Sequence, residues 1–176
     1  RPTVARLCLR LLSVFLNWCR VHPDYRHAMP EGNPAKSRGA REQLGKPKAK
    51  DDALLRDQLR PWFEAARQQD PVVSAYLQAL LLTGARPGEL LRLTWSDVDF
   101  QWKSLTIRDK VEGERVIPLT PYVAALLAAL PRRGPYVFMS GKADGPIASP
   151  NHAATRVCTL AGVPPVTLHG LRRSFK

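Results

Sequence analysis

The sequence is short of cysteine, short of acid, and has no long apolar run. Cys8, Cys19 and Cys158 are three, an odd number, and no two of them form a Cys-x-x-Cys pair. Their spacing offers neither a disulfide framework nor a zinc site, and such usage fits a reducing, intracellular setting. No stretch approaches the roughly 20 apolar residues that span a bilayer. No signal peptide opens the chain, because Arg1 and Pro2 lead straight into an amphipathic segment. There is no internal repeat. There is no methionine at position 1 either, so the expectation is a fragment of a longer frame. The acid deficit carries the most information: 15 Asp+Glu stand against 27 Lys+Arg, a net charge of +12 on 176 residues. An excess of that size points to a polyanionic partner, nucleic acid ahead of membrane.

What is present is organised around residues 80–93, Leu-Leu-Leu-Thr-Gly-Ala-Arg-Pro-Gly-Glu-Leu-Leu-Arg-Leu. Asp70-Pro71 pairs a helix cap with a residue suited to the first helical turn, so a helix should run from Val72 to Thr83. It is apolar nearly all round and should be central. Gly84 can take positive φ and end it. Pro87 should start the next helix, and Arg86, preceding a proline, is biased away from helical geometry. Arg86 therefore falls at a helix–helix junction, where free N–H groups favour an anion. Two readings of it stay open: a phosphate clamp, or an arginine paired with Glu89 in the same turn.

The remaining periodicities describe a mainly helical chain with a small antiparallel three-stranded sheet, an α+β arrangement. Val4–Val21 reads as a helix with Val4, Leu7, Leu11, Phe15 and Trp18 on one apolar stripe, and Cys8 on that stripe is expected in the core. From His22 to Lys50 the pattern dissolves into turn signals and basic residues, among them Lys36, Arg38, Arg41, Lys46, Lys48 and Lys50, and is read as a linker. Asp51 or Asp52 can cap a short helix through Leu59, with Pro61 restarting a second one. Val98–Phe100, Leu105 and Ile107, and Val116–Leu119 read as strands, with Lys110 in the turn between the last two. Pro121–Leu130 reads as a helix and Tyr136-Val137-Phe138 as a short extra strand. Ser149-Pro150 should start a helix ending near Gly162. Thr167 should cap a last helix still running at Lys176, with Leu168, Leu171 and Phe175 on its buried face. On that helix His169 and Arg172 are three apart and share a face, with Arg173 a competitor for the same role.

These elements together are specific. Thr83-Gly84-Ala85-Arg86-Pro87-Gly88-Glu89-Leu90, Trp95-Ser96-Asp97-Val98-Asp99, Lys110 followed by Glu114-Arg115-Val116-Ile117-Pro118-Leu119, and Leu168-His169-Gly170-Leu171-Arg172-Arg173-Ser174-Phe175 appear in this order. The chain thereby resembles the tyrosine recombinase (phage integrase) family over nearly its whole length. The resemblance implies residues 1–28 as the last helix of a core-binding, DNA-binding domain, 29–50 as a basic linker, and 51–176 as a catalytic domain incomplete at its C-terminus. It implies site-specific recombination of double-stranded DNA through a 3′-phosphotyrosine, by a protein that can assemble as a homo-oligomer on DNA in a bacterial or phage-derived, cytoplasmic and nucleoid-associated setting. Its His-x-x-Arg box selects Arg172 over Arg173. Arg86 and Arg172 would clamp the scissile phosphate, His169 would donate or transfer a proton, and Lys110 would protonate the departing 5′-oxygen. No metal or cofactor is called for, since side-chain cations take that place. In the family the nucleophilic tyrosine follows the His-x-x-Arg box. Tyr25, Tyr76, Tyr122 and Tyr136 all precede it, so a truncated protein or natural remnant that grips a phosphate without cleaving is expected. The rivals are a helix-turn-helix-type regulator and a phosphate-binding remnant with no partner.

Overall fold

The computed structural model describes residues 2–45, 50–109, 113–141, 144–148 and 150–175. Lys110, Ser149, the Lys46-Pro47-Lys48 run and Lys176 lie outside them. The chain divides into two units, Arg1–Lys50 and Asp51–Lys176.

The first unit is built on α1, Pro2–Val21. Asn33 ties the following loop back onto it: its Nδ2 donates to the Ser13 carbonyl (2.9 Å) and to Asn17 Oδ1 (2.8 Å), while its Oδ1 accepts from Ala35 N–H (3.0 Å). The stretch read as a linker contains a second helix, α2, Arg38–Leu44. The Arg38–Glu42 pair four residues apart supports that helix locally. The α1 stripe is not a core face among the described residues. Val4, Leu7, Leu11, Phe15 and Trp18 are all exposed, and Cys8, expected in the core, is exposed as well. Periodicity identifies an apolar face but does not say what covers it, and the short elements of this unit leave it open.

The second unit begins with α3, Arg56–Arg67, followed by α4, Pro71–Thr83, and α5, Pro87–Leu91. A single α3 replaces the two helices expected around Pro61. Proline there, the sixth residue of α3, removes the N–H that would bond the Asp57 carbonyl, and the helix continues through it. Asp52 does not cap it; the N-cap is Leu55 and Asp52 is engaged elsewhere. Asp70 Oδ1 accepts from Val72 N–H at 3.0 Å, and Ser74 to Leu81 are buried, so α4 is the central helix. Gly84 ends it at φ +61°, and a Cβ there would stand 2.5 Å from the Phe175 ring.

The sheet has order β1-β2-β3, all antiparallel, with β1 Val98–Asp99, β2 Ser104–Asp109 and β3 Gly113–Pro118. Leu105 pairs with Ile117 and Ile107 with Arg115. Opposed residues share a face, so Arg115 is on the inward side with two aliphatic neighbours. The α6 helix, Pro121–Ala128, closes over α4, where Tyr122 donates to Gln78 Oε1 at 2.6 Å. Tyr136-Val137-Phe138 forms no strand: only isolated bridges, Thr94 with Tyr136 and Met139 with Pro146, occur there. Val137 and Phe138 are nonetheless buried, which is why they read as sheet. The α7 helix is Asn151–Leu160 and α8 is Leu168–Arg173. The last helix stops three residues before the chain end. Leu168 and Leu171 are buried, but Phe175 is 54% exposed. Its ring covers Gly84 and lines an open apolar hollow with Leu59, Phe63 and Leu82.

Candidate active site

The α4–α5 corner places Arg86. Tyr76, fully buried on α4, donates its hydroxyl to the Pro87 carbonyl at 2.9 Å and so fixes where α5 starts. Burial pushes that hydroxyl's pKa up, leaving a neutral donor. Arg86 itself is extended, φ −70° and ψ 141°, as a residue before proline should be. Its backbone N–H donates to Glu89 Oε2 at 2.9 Å, so the third residue of the helix reaches back to the cap. Its guanidinium Nη1 meets Glu89 Oε1 at 2.8 Å. Arg86 is thus ion-paired with Glu89, as one of its two readings expected, and it also lines a cavity.

That cavity, about 340 Å³ and open, is lined by Arg86, His169, Arg172 and Arg173. Three of the residues singled out in the sequence therefore meet, although they come from two helices far apart in the chain. Lys110, the fourth, lies outside the described residues; the hairpin that bears it, β2 and β3, is in place on either side. Thr167 caps α8, its Oγ1 accepting from Gly170 N–H at 3.0 Å, and this presents His169 and Arg172 from the first turns. His169 is exposed and Arg172 half-buried. Among the described residues neither has a side-chain hydrogen-bond or ion-pair partner.

Arg173 differs. Its guanidinium is held by Asp52 Oδ1, whose other oxygen accepts from Thr167 N–H (3.0 Å) and Thr167 Oγ1 (2.5 Å). Leu54 N–H adds a bond to Ser174 Oγ at 2.8 Å. The strap 52–54 thus binds both ends of α8, and Arg173, though on the cavity wall, is already neutralised. Sequence reasoning missed Asp52 because its partners lie more than a hundred residues away. Arg115 was also missed, and there a signal existed. Strand alternation puts residue 115 inward, and an inward arginine needs an acid.

The acid is Glu89. Arg115 grips it with both arms, Nη2 to Oε2 at 2.6 Å and Nη1 to Oε1 at 3.1 Å. Burial alone would raise the Glu89 pKa. The hydrogen bonds from Arg115 and Arg86 outweigh it and bring the group down to about 2. Because the folded value lies below the usual carboxylate range, this contribution to stability is present in full above about pH 4.5 and is lost as pH falls toward 2. Urea unfolding at pH 5 and pH 3 should show a smaller acid loss for Glu89→Gln than for the parent. An equal loss would put the acid sensitivity elsewhere. Among the described residues no group of His, Cys, Asp and Glu is placed to hold a metal ion, and no helix is long and apolar enough to cross a membrane.

Residues 53–176 match the model of the phage integrase family, and residues 1–42 match that of the phage integrase core-binding domain. The chain belongs to the phage integrase family. Prophage integrase IntF of Escherichia coli K12 is 45% identical to this integrase-family chain over 184 residues, covering 99% of the chain and 39% of the relative's length. The XerA recombinase crystal structure superposes with TM-score 0.60 at 26% identity, covering 75% of this chain and 51% of that one. A lambda integrase (75–356) dimer bound to a COC′ core site gives TM-score 0.73 at 18% identity, covering 99% and 65%. The integrase-family chain thus spans about two fifths of its curated relative.

Proposed function

We propose that this chain contributes the phosphate-gripping part of a tyrosine-type site-specific recombinase that cuts and rejoins double-stranded DNA. The observation that carries the reading is the shared cavity of Arg86, His169 and Arg172. A phosphodiester under attack gathers negative charge on its non-bridging oxygens. Two guanidiniums and an imidazole around one cavity supply oriented donors for that charge. Arg86 and Arg172 are the clamp, and His169 is the donor or proton-transfer group. A tyrosine hydroxyl would give up its proton and form the bond to phosphorus. The P–O5′ bond would break, and the 5′-oxygen would take a proton from Lys110, leaving a 3′-phosphotyrosine that conserves the bond for rejoining. None of the four tyrosines of this chain lines the cavity. These residues are therefore proposed to bind DNA without cleaving it.

In this reading residues 1–28 end a core-binding domain, 29–50 link it to the catalytic part, and the protein works as a homo-oligomer on DNA in the cytoplasm of a bacterial host. Charge from two separated helices converging on one hollow favours this over a helix-turn-helix regulator, which would set its bases along one protruding helix. The test is a titration of labelled duplex DNA at several salt concentrations. Affinity should fall steeply with salt, because each phosphate contact releases a counterion. No covalent adduct should accumulate on a nicked suicide substrate. Salt-insensitive binding would contradict the phosphate grip, and an adduct would contradict the binding-only role of this chain.

A further inference from the structure

Among the described residues Glu89 is the acid in contact with Arg86 of the proposed phosphate clamp, and all its carboxylate positions are engaged. Its side chain is only 6% exposed. Oε1 accepts from Arg86 Nη1 and Arg115 Nη1, and Oε2 accepts from Arg86 N–H and Arg115 Nη2. A carboxylate offers about four acceptor positions, so these four donors leave it little capacity for anything else. The charges matter as much as the bonds. Arg86 and Glu89 alone sum to zero, and a neutral pair is a poor place to bind an anion. With Arg115 the triad carries +1. Arg115 approaches from β3, opposite Ile107, so the same contact ties the β2–β3 hairpin to the α4–α5 corner.

We propose that Arg115 is a positioning residue of this site: it takes up the charge of Glu89, so that Arg86 presents net positive charge to a DNA phosphate. It also holds the hairpin that carries Lys110 against the corner that carries Arg86. The inference rests on the phosphate-site reading given above. Arg115 acts through Glu89 and does not itself line the cavity.

The experiment measures duplex-DNA affinity against salt, together with melting temperature, for the parent, Arg115→Ala, Arg115→Lys and the double variant Arg115→Ala/Glu89→Gln. Arg115→Ala should bind about tenfold more weakly, the scale of one lost charge-assisted contact. Its salt slope should be shallower by about one phosphate equivalent. Removing the uncompensated carboxylate in the double variant should restore affinity to within about threefold of the parent, even though no arginine fork has been returned. Arg115→Lys keeps the charge without the fork and should retain most of the affinity. A structural clasp would behave differently, because neutralising Glu89 would not recover what the missing fork had lost. Unchanged binding by Arg115→Ala, a loss that Glu89→Gln does not rescue, or Arg115→Lys as weak as Arg115→Ala would each overturn the inference alone. Should Arg115→Ala prove unfolded at the assay temperature, the lysine variant and the double variant decide by the same criteria. A parent protein that shows no salt-dependent binding would overturn the inference and the phosphate-site reading together.

Discussion

Arg172→Ala should weaken duplex-DNA binding by about 1.5–3 kcal/mol, the range for hydrogen bonds to a charged group, while leaving the melting temperature nearly unchanged. The asymmetry follows from its surroundings. Arg172 is half-buried on the cavity wall and has no side-chain partner among the described residues, so its removal orphans nothing. Surface changes of that kind usually stay within about 0.5 kcal/mol of the parent stability. Arg173, one residue on and lining the same cavity, should give the opposite pattern. Its loss strips Asp52 of its cation, leaving a carboxylate only 16% exposed, so stability should fall more than affinity. Fluorescence anisotropy and thermal melting on both alanine variants separate the two. A larger affinity loss for Arg173→Ala would exchange their roles.

Gly170→Ala should be among the most destabilising single changes in the second unit, at roughly 2–3 kcal/mol and a fall of several degrees in melting temperature. A Cβ at this position would run into the Asp52 carbonyl oxygen, with Val166 Cγ1 at 2.6 Å and Asp52 Oδ2 at 2.9 Å. The obstacle is backbone, and it cannot step aside without loosening the strap 52–54 from Thr167 and Ser174. Because that strap anchors α8, the variant should also weaken DNA binding through displacement of His169 and Arg172. Gly84→Ala is the informative comparison. It too is crowded, but by the half-exposed Phe175 ring, which can swing away, so the cost should be nearer the 1–2 kcal/mol of a left-handed alanine. Equal melting temperatures for Gly170→Ala and the parent would show that the strap yields easily.

Much of this arrangement could be read from local chemistry. Asp70-Pro71 and Gly84 bracket α4, and Thr167 marks the start of α8, because caps and positive-φ glycines act within a few residues of themselves. The alternation around Leu105 and Ile107 located the sheet for the same reason. What escaped was decided at long range. Asp52 looks like a helix cap until α8 is folded beside it. The choice between Arg172 and Arg173 turns on that same carboxylate, and sequence spacing alone left it open. Arg86 was poised between a pair with Glu89 and a phosphate. The structure shows the Glu89 pair, and that carboxylate is shared with Arg115, which arrives from a strand 26 residues beyond Glu89; the phosphate role remains the proposal made above. The α1 stripe shows the limit from the other side: its period is evident, yet the face is exposed.

The central claim is that Arg86, His169 and Arg172 bind one phosphate as a unit. Its most direct test is to titrate the folded chain with inorganic phosphate and follow the arginine Nε–H and histidine ring signals by NMR. The account predicts that Arg86, Arg172 and His169 shift together along one saturation curve, and that Arg173, held by Asp52, moves far less. Shifts confined to basic residues of the first unit, or separate curves for Arg86 and Arg172, would contradict it.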